Sequence, residues 1–375
     1  TTGDCCRKKP PMKLLRSLRS SAISAARTLR SMLAPALLAV SASGCASCGE
    51  SAICSMKGTI NQPENRSMRR DLLKTGLASF CQEMLARSAP LKLQNDQPTI
   101  GRFYPRTCTQ REQENGDLYV AFEGNGYGWT GYSRKLAFTM AGTVTYNQDF
   151  LVAEGGGCDI YGYFRPRHVE SSDFKLTLIQ NQLARQLNQA MGAGQTFGSQ
   201  MVSSKLNQGF TVIRHSEGGD EFSLGVVELG QRPFHPFQVH GEGKIVMENE
   251  RLELHQNQRD FAPVTISESG RSLYLQLQTD GGVPVDVFVF GKTEGEANLR
   301  DFLEKPDVAP FSMPPYFADV VQPGPTPYRH AIPLPPGQYY VVIDNSNQAG
   351  SVAPAQGVLD DRAVLVDSLI QVGDN

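Results

Sequence analysis

Cysteine runs out early in this 375-residue chain: none of the eight lies beyond Cys158, so any disulfide framework is confined to the first half. Long apolar runs are also missing. No segment reaches the ~18 apolar residues that a membrane-crossing helix needs. Charge of one sign is absent too, with 36 Lys and Arg against 38 Asp and Glu and no basic block. Nucleic acid is therefore not expected as a partner. The strings HExxH and GxSxG do not occur, and no paired acid and base stands out. Catalytic, metal and cofactor sites are each read as none. There is one tryptophan, and the six histidines are scattered.

What is present begins with the leader. Lys13, Arg16, Arg19, Arg27 and Arg30 precede an apolar stretch, Met32 to Ala42, and small residues then lead into Cys45. A positive start, a short apolar middle and a small-residue end make a secretory signal. Residues 1–11 precede the start-like Met12 and are read as an upstream extension, so 1–44 is the expected signal region. The string Ala42-Ser43-Gly44-Cys45 resembles the lipobox of bacterial lipoproteins. That resemblance implies that Cys45 carries the lipid and becomes the mature N-terminus. Ala46 replaces the aspartate of the common inner-membrane retention signal, which implies the outer membrane, with the periplasm as alternative.

With Cys45 reserved for lipid, the sequence favours Cys48 with Cys54 and Cys108 with Cys158, although spacing does not fix connectivity. A zinc reading of Cys45 and Cys48 lacks a second ligand pair at finger spacing. Residues 45–68 are small, polar and turn-rich, as in a flexible tether. Beyond them Leu73, Leu77, Phe80 and Met84 recur at three- and four-residue steps, with Leu72 and Leu85 flanking, which predicts one amphipathic helix of about 19 residues. Its Arg69-Arg70-Asp71-Leu72-Leu73-Lys74 start resembles a twin-arginine export signal. The stretch after it is amphipathic, so a helix packed on the body is preferred.

From about residue 95 the pattern turns to strands, rich in β-branched and aromatic residues and separated by Gly and Asn clusters. A helix with Leu183, Leu187, Ala190 and Met191 on one face interrupts them. The segments 209–214 and 221–229 read as a hairpin. After residue 246 nearly every segment is strand-like, with Gly/Pro turns, which predicts a β-sandwich. The segment LPPGQYYVVIDNSN (334–347) resembles the final hairpin of pre-peptidase C-terminal-like sandwich domains, accessory modules of secreted proteins. The expected fold is mainly β: an α+β domain over 69–245 followed by a β-sandwich over 246–375.

Several strings imitate known motifs. Gly218-Gly219-Asp220-Glu221-Phe222 spells the GGDEF signature of diguanylate cyclases, but residues 150–210 offer no match to the rest of that family. A Gly-Gly turn with Phe222 facing the core explains it equally. Gly126 to Gly131 fits GxGxxG, yet strand-like sequence follows where a helix N-terminus is needed. Gly291-Lys292-Thr293 ends like a P-loop, but Asp286 stands where the first glycine belongs. The stretch 124–133 reads as a glycine-rich loop, with Tyr127, Trp129 and Tyr132 as candidate ligand contacts. The competing reading folds Trp129 back to cap the core. Odd spacing puts His235 and His240 on opposite faces of a strand. Asp344, Asp360 and Asp361 are weighed as a calcium cluster and set aside in favour of solvated turn carboxylates.

The functional expectation is an envelope-anchored lipoprotein with a non-enzymatic binding or structural role. Its partners would be the membrane through the lipid, and an envelope protein or glycan. A lipid carrier, with an apolar groove around 173–214, and a hydrolase assembled from distant residues are the alternatives.

Overall fold

A computed structural model describes residues 52–374 apart from 78–79, 95, 132, 155–157, 192–205, 216–219, 240–243, 281 and 353–362. The leader, Cys45, Cys48, Tyr132, His240, Asp360 and Asp361 lie outside the described residues. The protein is mainly β: among the described residues 52% are strand and 18% helix.

Short helical segments come first: α1 (Lys57–Ile60), a 3-10 turn at Pro63–Asn65, α2 (Arg66–Leu77) and α3 (Phe80–Ala86). Seven strands then pair antiparallel in chain order: β1 (Ala89–Leu91), β2 (Gly101–Glu112), β3 (Leu118–Thr130), β4 (Arg134–Val152), β5 (Ile160–Ile179), β6 (Phe210–Arg214) and β7 (Asp220–Leu224). Helix α4 (Gln182–Met191) lies between β5 and β6 in sequence. The expected hairpin is present, pairing Arg214 with Asp220 and Phe210 with Leu224.

Glycines decide the middle of this sheet. Gly124, Gly126 and Gly128 alternate along β3. A Cβ on Gly124 would strike the backbone of Tyr104 and the ring of Phe103, and one on Gly126 would strike the backbone of Arg102 and the ring of Phe138. Those glycines admit a close approach of backbone and aromatic rings. The aromatic layer includes Phe103, Phe122, Phe138, Phe164, Phe174 and Phe210, and Leu73 of α2 with Phe80 and Met84 of α3 packs against it. Phe80 stacks on Phe164 and Phe210 at 6.0 and 5.6 Å between centroids.

The remaining strands are β8 (Ile245–Leu254), β9 (Gln258–Ile266), β10 (Arg271–Asp280), β11 (Val285–Gly291), β12 (Phe317–Val321), β13 (Tyr328–Pro333), β14 (Gly337–Asn345) and β15 (Val364–Asp374). They form two four-stranded sheets, ordered β13-β10-β15-β8 and β12-β11-β14-β9. Alternating Leu, Ile and Val side chains from both sheets make their shared core, for example Leu273, Leu275 and Leu277 against Val287, Val289, Val341 and Ile343. This is the two-layer burial of a sandwich.

A third core joins the halves. Tyr104, Tyr127 and Ala137 of the seven-stranded sheet meet Phe261, Phe288, Phe290, Tyr340 and Val342 of the sandwich and Leu299, Phe302 and Leu303 of α5 (Lys292–Glu304). Thr99, just before β2, also bonds alongside the edge strand β8. Its N–H donates to the Arg251 carbonyl at 2.7 Å, and its own carbonyl accepts from the Glu253 N–H at 3.0 Å. An edge strand covered in this way is protected from stray pairing.

Three local expectations change and one narrows. Residues 57–60 and 63–65 of the expected tether are helical: the Cys54–Cys158 disulfide and the burial of Ile60 against Phe150 and Val152 hold them on the body. The expected 19-residue helix is helical over its described residues in α2 and α3, with 78–79 lying outside them, and Leu72 and Leu85, which flank its stripe, are exposed. On α4, among the described side chains, Ala184 is buried and Leu183 is exposed. The presumed loop 124–133 is mostly strand β3, because its glycines serve close packing rather than a turn.

Candidate functional site

At the far end of the seven-stranded sheet, the chain leaves β7 and runs over residues 225–239 to β8. This strap is held by groups from five places. Val227 N–H donates to Thr211 Oγ1 at 2.9 Å on β6, and Tyr161 OH on β5 donates to the Gln231 carbonyl at 2.9 Å. Arg232 reaches Asp159 Oδ2 at 2.9 Å, just before β5. Asn249 on β8 donates its amide to the Phe237 carbonyl at 2.8 Å. Beneath the strap Val227 packs on Tyr161, Tyr163 and Ile213.

Two histidines and one glutamate lock the crossing. Glu221 on β7 accepts from His215 Nε2 at 2.9 Å and from His235 Nε2 at 2.5 Å, one on each carboxylate oxygen. His215 Nδ1 lies 3.3 Å from Asp159 Oδ2. His235 Nδ1 donates to the Asn249 carbonyl at 2.7 Å. Burial pushes the Glu221 carboxyl up, but the two imidazoles outweigh it and hold it down at about 2. The bond to Glu221 raises His215 above its ordinary value. For His235, burial lowers the value, and Glu221 with the Asn249 carbonyl more than reverses this. The cluster is an acid–base relay by composition and a mechanical fastening by connection. Sequence reasoning missed it: Glu221 was visible only as part of a GGDEF string, and His215 and His235 are 20 residues apart.

A second polar cluster sits at the seam between the sheets. Arg102 on β2 is buried and bonds Asp260 on β9 through Nε and Nη2 at 2.6 and 2.7 Å, and Glu248 on β8 at 2.7 Å. Tyr127 OH donates to Asp260 at 2.8 Å, and Tyr104 OH to the Phe261 carbonyl at 2.8 Å. Burial alone would lower the Arg102 pKa, but Asp260 and Glu248 outweigh it and keep the guanidinium charged. Glu248 behaves differently. Burial raises its carboxyl to about 7 against the pull of Arg102, and its second oxygen has no hydrogen-bond partner. Arg259 makes a similar buried pair with Asp344 at 2.6 Å.

The sequence-predicted contacts fall differently. Tyr127 and Trp129 belong to β3 and are buried, Tyr127 at the seam and Trp129 stacked on His255 at 3.3 Å between centroids. They do not line an exposed loop, because the glycines between them place the segment inside the sheet. Tyr132 and Cys45 lie outside the described residues. The expected disulfides Cys48–Cys54 and Cys108–Cys158 are replaced by Cys54–Cys158 and Cys81–Cys108. Cys54 faces the end of the β4–β5 hairpin, and α3 lies across β2, so neighbours in space rather than in sequence are joined. Asp344 is not a solvated turn carboxylate: Arg259 and Ser346 hold it in the core, while Asp360 and Asp361 lie outside the described residues. Phe222 is partly exposed rather than core-facing, with its ring 5.2 Å from Phe210. Gly291 does precede a helix, α5, but Glu294 of the first turn lies beside it where a phosphate would have to bind.

No family model matches the chain, and no curated protein matches it at a meaningful level.

Proposed function

We propose that the chain is exported and held at the cell envelope by a lipid on Cys45, where its folded body binds or braces an envelope protein or glycan without catalysing a reaction. One observation carries this reading: two disulfides, Cys54–Cys158 and Cys81–Cys108, staple the helical start of the body to the sheet. Such bonds persist in oxidising compartments outside the cytosol, which agrees with the basic, then apolar, leader that ends at Cys45. The outer membrane is the preferred surface and the periplasm the alternative.

A scaffold role fits the use of buried charge. Arg102, Arg259 and their carboxylate partners fasten strands to one another, as buried ion pairs do when they fix a geometry. This body is preferred to a lipid carrier because Phe80 and Met84 fill the face between α3 and the aromatic layer, and the Cys81–Cys108 bond ties that helix to β2. The test is cell fractionation of Cys45→Ala. The variant is expected to be exported yet no longer to sediment with membranes. A variant that stays membrane-bound refutes the anchor.

A further inference from the structure

We propose that the strap over residues 225–239 is a pH-operated clasp, closed on the sheet and on β8 while His215 and His235 are doubly protonated, and released as those rings lose a proton. The argument is one of donors and acceptors. The Asn249 carbonyl can only accept, so His235 Nδ1 must carry a proton. Glu221 is held ionised between two imidazoles, so it also only accepts, and His235 Nε2 must carry the second proton. His235 satisfies both partners only as imidazolium. His215 bonds Glu221 through Nε2 alone; its Nδ1 lies 3.3 Å from Asp159 Oδ2 without a hydrogen bond, so the two carboxylates favour its charge by proximity rather than require it by bonding.

The surrounding charges set the direction. Among the described residues, β7 supplies Glu221, the turn before β5 supplies Asp159, and the strap itself supplies Arg232. From β8 come the Asn249 carbonyl and Glu250, the latter paired with Lys92. With both rings charged, His215, His235 and Arg232 all face Glu221 and Asp159. With both rings neutral, the two histidine charges are lost from that set. One of the two His235 bonds must then break, leaving a half-buried acceptor without its donor. Both histidines have raised values in the closed state, so the closure they supply is complete below the ordinary value of 6.5 and is lost as pH rises through their raised values. Opening uncovers Tyr161, Tyr163 and Ile213 beneath Val227. The inference does not depend on how the chain is anchored.

The experiment is an NMR titration of the full chain with hydrogen exchange of the Val227 and Phe237 amides, referenced to buried amides of β14 at each pH. His215 and His235 are expected to titrate above 6.5. The relative protection of the strap is expected to fall severalfold between pH 6 and 9. In Glu221→Gln both rings are expected to titrate lower, and the strap at pH 6 to exchange as the wild type does at pH 9. Either ring titrating at or below 6.5 in the wild type overturns the proposal, as does strap protection that stays flat across the range or is unchanged by Glu221→Gln. If the variant does not fold, the wild-type titration and exchange decide the matter alone.

Discussion

At Arg102 a full positive charge is taken out of water and shared between strands of three sheets: its own β2, β8 through Glu248 and β9 through Asp260. Charges buried in this way are costly to strand. Arg102→Met leaves Asp260 and Glu248 without their cation and is expected to lower stability by about 3–5 kcal/mol, read as a shift in urea midpoint. Glu248 allows a finer check in the same assay. Its folded value of about 7 lies above the ordinary 4.5, so the folded state holds a proton that the unfolded state releases. Its contribution is therefore complete below about pH 4.5 and fades as pH rises towards 7. Glu248→Gln cannot ionise, so its urea midpoint is expected to change less between pH 5 and 8 than that of the wild type. An equal slope in the two proteins contradicts the assignment.

Among the elements, α3 depends most on a covalent bond. Its described residues Phe80–Ala86 hold their place through Phe80, Met84 and the Cys81–Cys108 bond. That bond closes a loop of 27 residues, for which chain entropy gives about 3.5 kcal/mol of stabilisation. Cys81→Ser with Cys108→Ser is expected to lose up to that amount in denaturant unfolding and to expose the Phe164 and Phe210 faces to an apolar dye. Loss of well under about 1 kcal/mol would show that packing alone seats the helix.

The strands were readable in sequence because their β-branched and aromatic alternation is local. The sandwich strands β10, β11 and β14 fall where that alternation placed them. Helix α5 was not read, although Leu299, Phe302 and Leu303 sit at helical spacing, because Gly291-Lys292-Thr293 drew attention as a failed motif instead. The second half of β3 hid behind glycines whose purpose appears only when Phe103 and Phe138 lie over them. The histidine cluster and the disulfide partners were illegible for a different reason: they are set by which loops meet in space, and no spacing along the chain encodes that.

At the scale of the whole molecule, the body joins an aromatic-filled sheet to a sandwich through the core around Tyr104, Phe261 and Phe302, with Arg102 beside it. The single tryptophan, Trp129, stacks on His255 of the β8–β9 turn and so reports on this junction from within. Its emission is a convenient readout for each unfolding assay above. The same body brings Cys54 to Cys158 and Cys81 to Cys108, leaving Cys45 unused by either pair. The central claim, export with an acyl group on Cys45, is tested most directly by non-reducing intact mass spectrometry with peptide mapping of the protein purified from its own cells. The account predicts a chain that begins at Cys45, carries added lipid mass, and contains the 54–158 and 81–108 cross-links. A chain that retains its leader, has no added mass at Cys45 and has free thiols at those four positions would contradict it.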